Sequence, residues 1–476
     1  MKITDNLQKN IGALKKIFHA DDIKFKEIKA GSAKGYLVFV TDVTDKEALG
    51  TLVLRPLAKL KGKPNENTLN KALLSPETET ASHIEETAQK IAAGFSALFI
   101  EGVNKVFLFG LKKYDKRTIA EPPTSTVIKG PREGFVESLA VNVSLMRRKL
   151  VSPDLCVKYI TVGKFSQTQI AVCYVKTVAD SSLVDALTEK IKTINIDAIL
   201  DSSYISKFLG EHKTSLFKQI GNTEKPDILA AKILEGRVAI IVDGSPIALT
   251  VPYLLVEDLQ SPSDYYNSSY SATLARLIRV FAIFLSLYLP AFYVSAQLFH
   301  LQFIPLSFLL TIVNSIKGIP LSPSFEMFFT LLIFEILNEA SVRMPRYVGM
   351  VVSIVGGLVL GETAVNAGII SAPALMIIAL SGICLYTVPE LEQTFSLIRL
   401  LLLVIGGSFG AFGLIVASAI LLIYLVSFEN YSTPLLAPFS PLVIKDLKDG
   451  VYKGFMIEQS IRPLSLKNAN KRRIEK

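Results

Sequence analysis

The chain changes solvent at about residue 277. Val280–Phe299 reads VFAIFLSLYLPAFYVSAQLF with no charged residue, about the 20 residues a helix needs to cross a bilayer core. Apolar stretches recur over Phe325–Leu337, Tyr347–Ile370, Ala372–Val388 and Leu397–Phe428. The residues before this point have an ordinary soluble composition. Such a division predicts a water-soluble head joined to a helical membrane bundle, because a helix satisfies its own backbone polar groups in lipid.

Charge sets the expected orientation. The segment MKITDNLQKNIGALKKIF is a lysine-rich amphipathic helix candidate without the apolar stretch and cleavage site of a signal peptide. From Lys445 to Lys476 the chain carries nine basic residues against four acidic ones. Both ends are therefore expected on the cytoplasmic side, which demands an even number of crossings. As one helix Leu397–Phe428 would be about 46–48 Å long, well over the core thickness of roughly 30 Å. Gly406, Gly407, Gly410 and Gly413 sit at its middle, so it reads as one tilted helix or as a broken hairpin. Leu301–Ile316 is amphipathic and interrupted by Pro305. The count is four to six spans.

In the head, Tyr36–Thr41, Ala97–Glu101, Lys105–Leu111, Leu155–Gly163, Gln169–Val175 and Arg237–Val242 read as strands. Ser182–Thr193 and Glu133–Leu150 read as helices, the latter from Phe135, Leu139, Val143, Met146 and Leu150 at spacings of three to four. The expected fold is an α/β soluble head of two subdomains followed by an all-α membrane domain. The expected bounds are 1–125 and 126–270 for the subdomains, 271–440 for the bundle, and 441–476 for a basic cytoplasmic tail. Leu60–Glu77, rich in Pro and Asn, reads as a loop. No internal repeat is legible.

Little here suggests chemistry. The first 276 residues hold 37 Lys and Arg against 31 Asp and Glu, a diffuse excess that does not suit nucleic-acid binding. Cys156, Cys173 and Cys384 have no metal-ligand spacing and suit a reducing compartment. His19, His83, His212 and His300 share no spacing either, so neither a metal nor a cofactor is expected. Asp243-Gly244-Ser245-Pro246 lacks the Gly-x-Ser-x-Gly of a nucleophile elbow and reads as a hairpin turn. The chain is not expected to be an enzyme.

Two groups of residues stand out. In the head, Glu121 to Phe135 (EPPTSTVIKGPREGF) predicts a helix start with Pro131 just outside and Glu133 in the first turn. Arg132 would be free to pair with Glu121 or Glu137, so Glu121, Pro131, Arg132, Glu133, Phe135 and Glu137 are candidates for a turn, a hinge or a subunit contact. In the bundle, Glu335, Glu339 and Arg343 lie four apart and predict one ladder. Charges at membrane depth mark a pathway or an internal pair, while a helix leaving the bilayer near Glu339 is the plainer reading. Glu326 falls on the opposite face and is expected at the interface. Gly349, Ser353, Gly357 and Gly361 form a small-residue stripe suited to close helix packing, with Glu362 and Asn366 beside it.

At these residues the chain resembles a known family. QSPSDYY (Gln260–Tyr266), LPAFYVSAQLFHLQFIP (Leu289–Pro305), EILNEASVRMPR (Glu335–Arg346), GGLVLGETAVNAGIIS (Gly356–Ser371), GPREGF (Gly130–Phe135) and VDGSP (Val242–Pro246) resemble the A subunit of GerA-type spore germinant receptors. The resemblance spans residues 85 to about 440. It implies a subunit in the inner membrane of dormant endospores, working with a permease-like B subunit and a lipoprotein C subunit to trigger germination. It also implies that A subunits assemble as homo-oligomers into a germinant-gated cation channel, with nutrient recognition left to the B subunit. A transporter subunit, an anchored scaffold, or the sporulation paralogue linked to dipicolinate release are the alternatives. One departure stands out: where the family commonly has GlyGln…ValGluAla, this chain has Gly361-Glu362 and Val365-Asn366-Ala367. Acid and amide are exchanged by one turn, about 6 Å.

Overall fold

The structure, a computed structural model, describes residues 1–73, 75, 77–113, 129–345, 357, 359 and 361–474. The chain forms two compact units. The first comprises Met1–Tyr253, Asn430–Thr433 and Met456–Lys476, and the second Leu254–Glu429 and Pro434–Phe455.

The first unit holds two five-stranded sheets. In the first, β1 (Ile23–Ala30), β2 (Ala33–Val40), β3 (Thr78–Ala81), β4 (Ser96–Ile100) and β5 (Val106–Phe109) lie in the order β1-β2-β4-β5-β3. In the second, β6 (Leu155–Val162), β7 (Thr168–Val175), β8 (Gly221–Thr223), β9 (Val238–Val242) and β10 (Ala248–Val251) lie in the order β6-β7-β9-β10-β8. The two orders are equivalent, and every neighbouring pair is antiparallel. The helices repeat as well. Helix α1 (Leu7–Ile17) precedes the first sheet and α2 (Ile84–Ala92) joins β3 to β4, just as α3 (Leu139–Lys149) precedes the second and α5 (Pro226–Leu234) joins β8 to β9. The head is thus a structural duplication without a visible sequence repeat.

Both faces of each sheet are covered, which explains why β4 and β9 are buried at every residue. One face of the second sheet packs Val143, Met146, Leu229 and Ile233 of α3 and α5; the other packs Val184, Leu187 and Ile191 of α4 (Ser181–Lys192). Asp243 and Gly244 turn the chain between the antiparallel β9 and β10, with Gly244 at a φ of 85°. Two expectations need correction. A helix, Glu66–Ala72, occupies part of Leu60–Glu77, where Leu69 is buried under the sheet and overrides the polar composition. Helix α3 begins at Leu139 and not at Glu133, because residues 131–136 are tied by hydrogen bonds to neighbouring elements and not to one another as a helix.

The second unit is helical: α6 (Ser269–Phe299), α7 (Leu306–Ile316), α8 (Pro323–Arg343), α9 (Ala372–Leu385) and α10 (Glu392–Ser427). By length and composition α6 is apolar enough to cross a membrane, and so is α10 when its two halves are taken as one helix. Phe281, Phe284, Phe292, Phe409, Phe412, Ile420 and Ile423 are exposed, as lipid contact would require. Helix α10 is broken. Gly410 has φ 65° and ψ −152°, a conformation essentially confined to glycine. A side-chain carbon at Gly413 would come within 3.3 Å of the Ile405 carbonyl oxygen, and one at Gly406 within 3.2 Å of Leu414. Residues eight apart on a continuous helix are about 12 Å apart along its axis. The chain therefore doubles back at Gly410, the broken-hairpin form of this stretch.

Candidate functional site

Three charged arrangements are built by these elements. The first closes the head's two sheets on each other. Arg147, on α3, donates from Nε and Nη2 to the two oxygens of Asp22, both at 2.8 Å. Both side chains are out of solvent, at 2% and 0% exposure. Beside them the Tyr159 hydroxyl donates to Asp42 at 2.5 Å, and the Tyr159 N–H donates to Asp21. Burial pushes the Asp42 carboxyl above the usual carboxylate range; the Tyr159 hydrogen bond opposes this, and the Asp22 charge adds to it. The thiol of Cys173 is pushed up to about 12 by burial, so it is chemically quiet at neutral pH.

The GPREGF segment lies against the second sheet. The buried Lys225 donates from Nζ to the Pro131 carbonyl at 2.8 Å, and the Phe135 N–H donates to the Glu224 carbonyl. Phe135 itself is buried in the core with Leu139 and Val143. Asn142 closes a pair of hydrogen bonds with the backbone of Val136. The Glu137 carbonyl accepts from the Gly244 N–H, and Asp243 caps the Leu139 N–H. Glu133, expected to serve the start of a helix, instead pairs with Arg148 and Lys149 in the last turn of α3. Arg132 is exposed and makes no ion pair among the described residues; Glu121 lies outside them.

The second arrangement surrounds the start of α6. Ser261 and Asp264 form a capping box in the QSPSDYY segment. The carboxylate of Asp264 accepts two hydrogen bonds from Arg279, at 2.7 and 2.9 Å, and one from Arg276 Nε at 3.1 Å. Arg276, wholly buried, also donates to the carbonyls of Asp449 and Gly450 at 2.8 Å each and to the Asp449 carboxylate. Gln260 and Tyr265 reach Asp449 too, and the Lys453 ammonium sits 3.8 Å from the Tyr265 ring centroid. Burial alone would raise the Asp264 carboxyl. The hydrogen bonds from Arg279 and the Ser261 N–H outweigh it and hold that carboxyl below the usual range.

The third lies among the apolar helices. Arg399 on α10, 1% exposed, pairs with Glu335 of α8 and donates from Nη1 to Ser381 of α9 at 2.9 Å. Ser396 donates to the same Glu335 oxygen. The guanidinium lies over the Phe334 ring, which rests directly on Gly382, where a side-chain carbon would come within 2.2 Å of it. The expected ladder is thus divided: Glu335 turns to Arg399, while Glu339 and Arg343 pair with each other in the open, 64% and 78% exposed. Glu326 is buried within the unit and accepts the Ser371 N–H at 2.6 Å, closing the start of α9. Gly361 packs on Leu375. Gly357, Glu362 and Asn366 are exposed; Gly349 and Ser353 fall outside the described residues.

Buried and paired charges of this kind, in a head closed by ion pairs and a helical unit of membrane length, are read best beside known proteins. Residues 12–465 match the profile of the Bacillus/Clostridium GerA spore germination protein family. The chain belongs to that family. It is similar to spore germination protein KA of Bacillus subtilis strain 168, 32% identical over 98% of this chain and 88% of the relative. Stage V sporulation protein AF of the same strain is 29% identical over 82% of this chain and 79% of its own length. A crystal structure of the N-terminal domain of the A subunit of the Bacillus megaterium spore germinant receptor GerK3 overlaps 54% of this chain and 98% of that domain, with 24% identity and a TM-score of 0.43. These relatives make it a GerA-family spore germination protein, and the family is not a known enzyme family.

Sequence reasoning passed over Arg399, Arg147, Arg276 and Asp449. A signal existed for Arg399, the single base in a long apolar run, since a lone buried base needs an acid from another helix. None existed for Asp22 and Arg147, which lie 125 positions apart.

Proposed function

We propose that this chain is the A-type subunit of a nutrient germinant receptor and that its helical unit lines a gated cation passage between several copies of itself. The carrying observation is the exposure of Glu362 and Asn366 on a helix of a unit whose other exposed side chains are largely apolar. Lipid is a costly neighbour for such groups. A water-filled axis shared among copies would hydrate them, and the acid would favour cations. Apolar side chains along the same axis would close it by dewetting, and a partner's signal would shift pre-existing closed and open states.

The resemblance supplies the setting: the inner membrane of the dormant spore, a permease-like B subunit, a lipoprotein C subunit, and both ends of this chain on the core side. Liposomes containing the purified assembly test the reading. Cation flux is expected and should fall about ten-fold in Glu362→Gln, while Glu339→Gln, exposed and paired with Arg343, should conduct as the parent does. Flux unchanged by Glu362→Gln removes that residue from the passage. A chain that neither assembles with itself nor conducts is an anchored adaptor.

A further inference from the structure

Helix α6 carries Tyr293, Gln297 and His300 on one face, at spacings of four and three. Gln297 is 8% exposed, and neither its amide nitrogen nor its amide oxygen has a partner. Tyr293 is 6% exposed; its hydroxyl reaches toward Ser371, whose N–H is held by Glu326, without a well-formed hydrogen bond of its own. The Nδ1 atom of His300 is a further buried atom without a partner on this face. Glu326, 2% exposed, stands at Ser371, by the Tyr293 end of this face. One of its oxygens accepts the Ser371 N–H; among the described residues the other accepts nothing, and no base pairs with this carboxylate.

Closing the start of α9 accounts for one Glu326 oxygen and leaves the rest unexplained. Buried polar atoms are nearly always satisfied, and a buried carboxylate without a base calls for a proton or a cation. The neighbourhood favours the second. Val294 and Ser324 pack on Gly407, and Phe299 packs on Gly410, where α10 breaks. Interrupted helices in apolar surroundings present carbonyl oxygens that regular helix would conceal, and such breaks are where coupling ions bind.

We propose that this cluster binds one dehydrated monovalent metal cation. Glu326 supplies the single negative charge, and Tyr293 Oη and Ser371 Oγ supply neutral oxygen. One carboxylate among neutral oxygens balances one positive charge, whereas hard divalent ions gather several carboxylates or keep their water. No group of three His, Cys, Asp or Glu is present among the described residues, which does not suit a transition metal. The assignment stands apart from conduction, because it concerns occupancy and not flux.

The test is thermal unfolding of the full chain in detergent, in sodium, potassium or choline chloride at equal ionic strength. A ligand held only by the native state raises the midpoint in a saturable way. Sodium or potassium should raise it by several degrees over choline, with no rise in Glu326→Gln. Tyr293→Phe, which removes one oxygen and keeps the ring, should fold normally and need about ten-fold more cation for half the effect; it carries the test if the Glu326 variant fails to fold. Equal midpoints in all three salts, or an unchanged response in both variants, would mean a protonated acid or trapped water and would overturn the assignment.

Discussion

Arg147 in the head and Arg399 in the helical unit are both almost fully buried, yet they are held in opposite ways. Arg147 meets the two oxygens of Asp22 through two parallel hydrogen bonds of 2.8 Å, the fork geometry that makes guanidinium–carboxylate pairs strong. Arg399 divides its donors between one oxygen of Glu335 and the Ser381 hydroxyl, and its Nε–H has no acceptor. Its acid is 26% exposed and shares that oxygen with Ser396. The head's pair is complete and fixes two sheets in one arrangement. The bundle's pair is incomplete, with one buried donor unmet and its acid partly open to solvent.

The largest expected effect tests the closed pair. Arg147→Met strands the Asp22 carboxylate and should remove about 3–5 kcal/mol from the head. Denaturant unfolding reads it through tyrosine fluorescence, since the chain has 16 Tyr and no Trp. The double variant Asp22→Leu with Arg147→Met should regain most of that loss, because a well-packed apolar pair replaces a buried ion pair without penalty. A single variant as stable as the parent would show that the sheets are held by apolar packing alone.

Arg399→Met should cost less, about 1–3 kcal/mol, because Glu335 keeps Ser396 and some solvent. Adding Glu335→Gln should restore much of it. If Arg399→Met proves as damaging as Arg147→Met, the contrast between the two pairs is wrong.

The smallest effect is a slope. Burial raises the Asp42 carboxyl above its ordinary 3.8, so the folded head holds this proton more tightly than the unfolded chain. The resulting stabilisation is full below that ordinary value and is lost as pH rises through the raised one. Asp42→Asn, which keeps an oxygen for the Tyr159 hydroxyl, should flatten this part of the stability–pH curve. A curve that keeps its slope would assign the titration to another acid.

Legibility followed the range of the interactions. Strands β5 and β9 are unbroken apolar runs, and β4 and β7 are so after their first residues, because helices cover both faces; such runs stand out in a sequence. Strand β1 (IKFKEIKA) did not stand out, since at the sheet edge its lysines face water and its composition looks like loop. The short strands β3, β8 and β10 offer too few residues for any pattern. Acids in the apolar helices were visible as anomalies, and their partners were not, because Glu335 and Arg399 meet only through the packing of separate helices. Even the duplication of the head is written in the order of strands and helices, which side-chain patterns do not record.

The reversal at Gly410 has a consequence for how force travels. By turning α10 back, it returns the chain toward the beginning of α6, where Arg276 grips Asp449, 173 positions further along. The helical unit is therefore a belt fastened at its own buckle: the first helix cannot rotate about its axis without dragging the residues that follow the last one. A pull on either end of the belt is felt at the other, through a clasp of hydrogen bonds made at the first turns of the first helix.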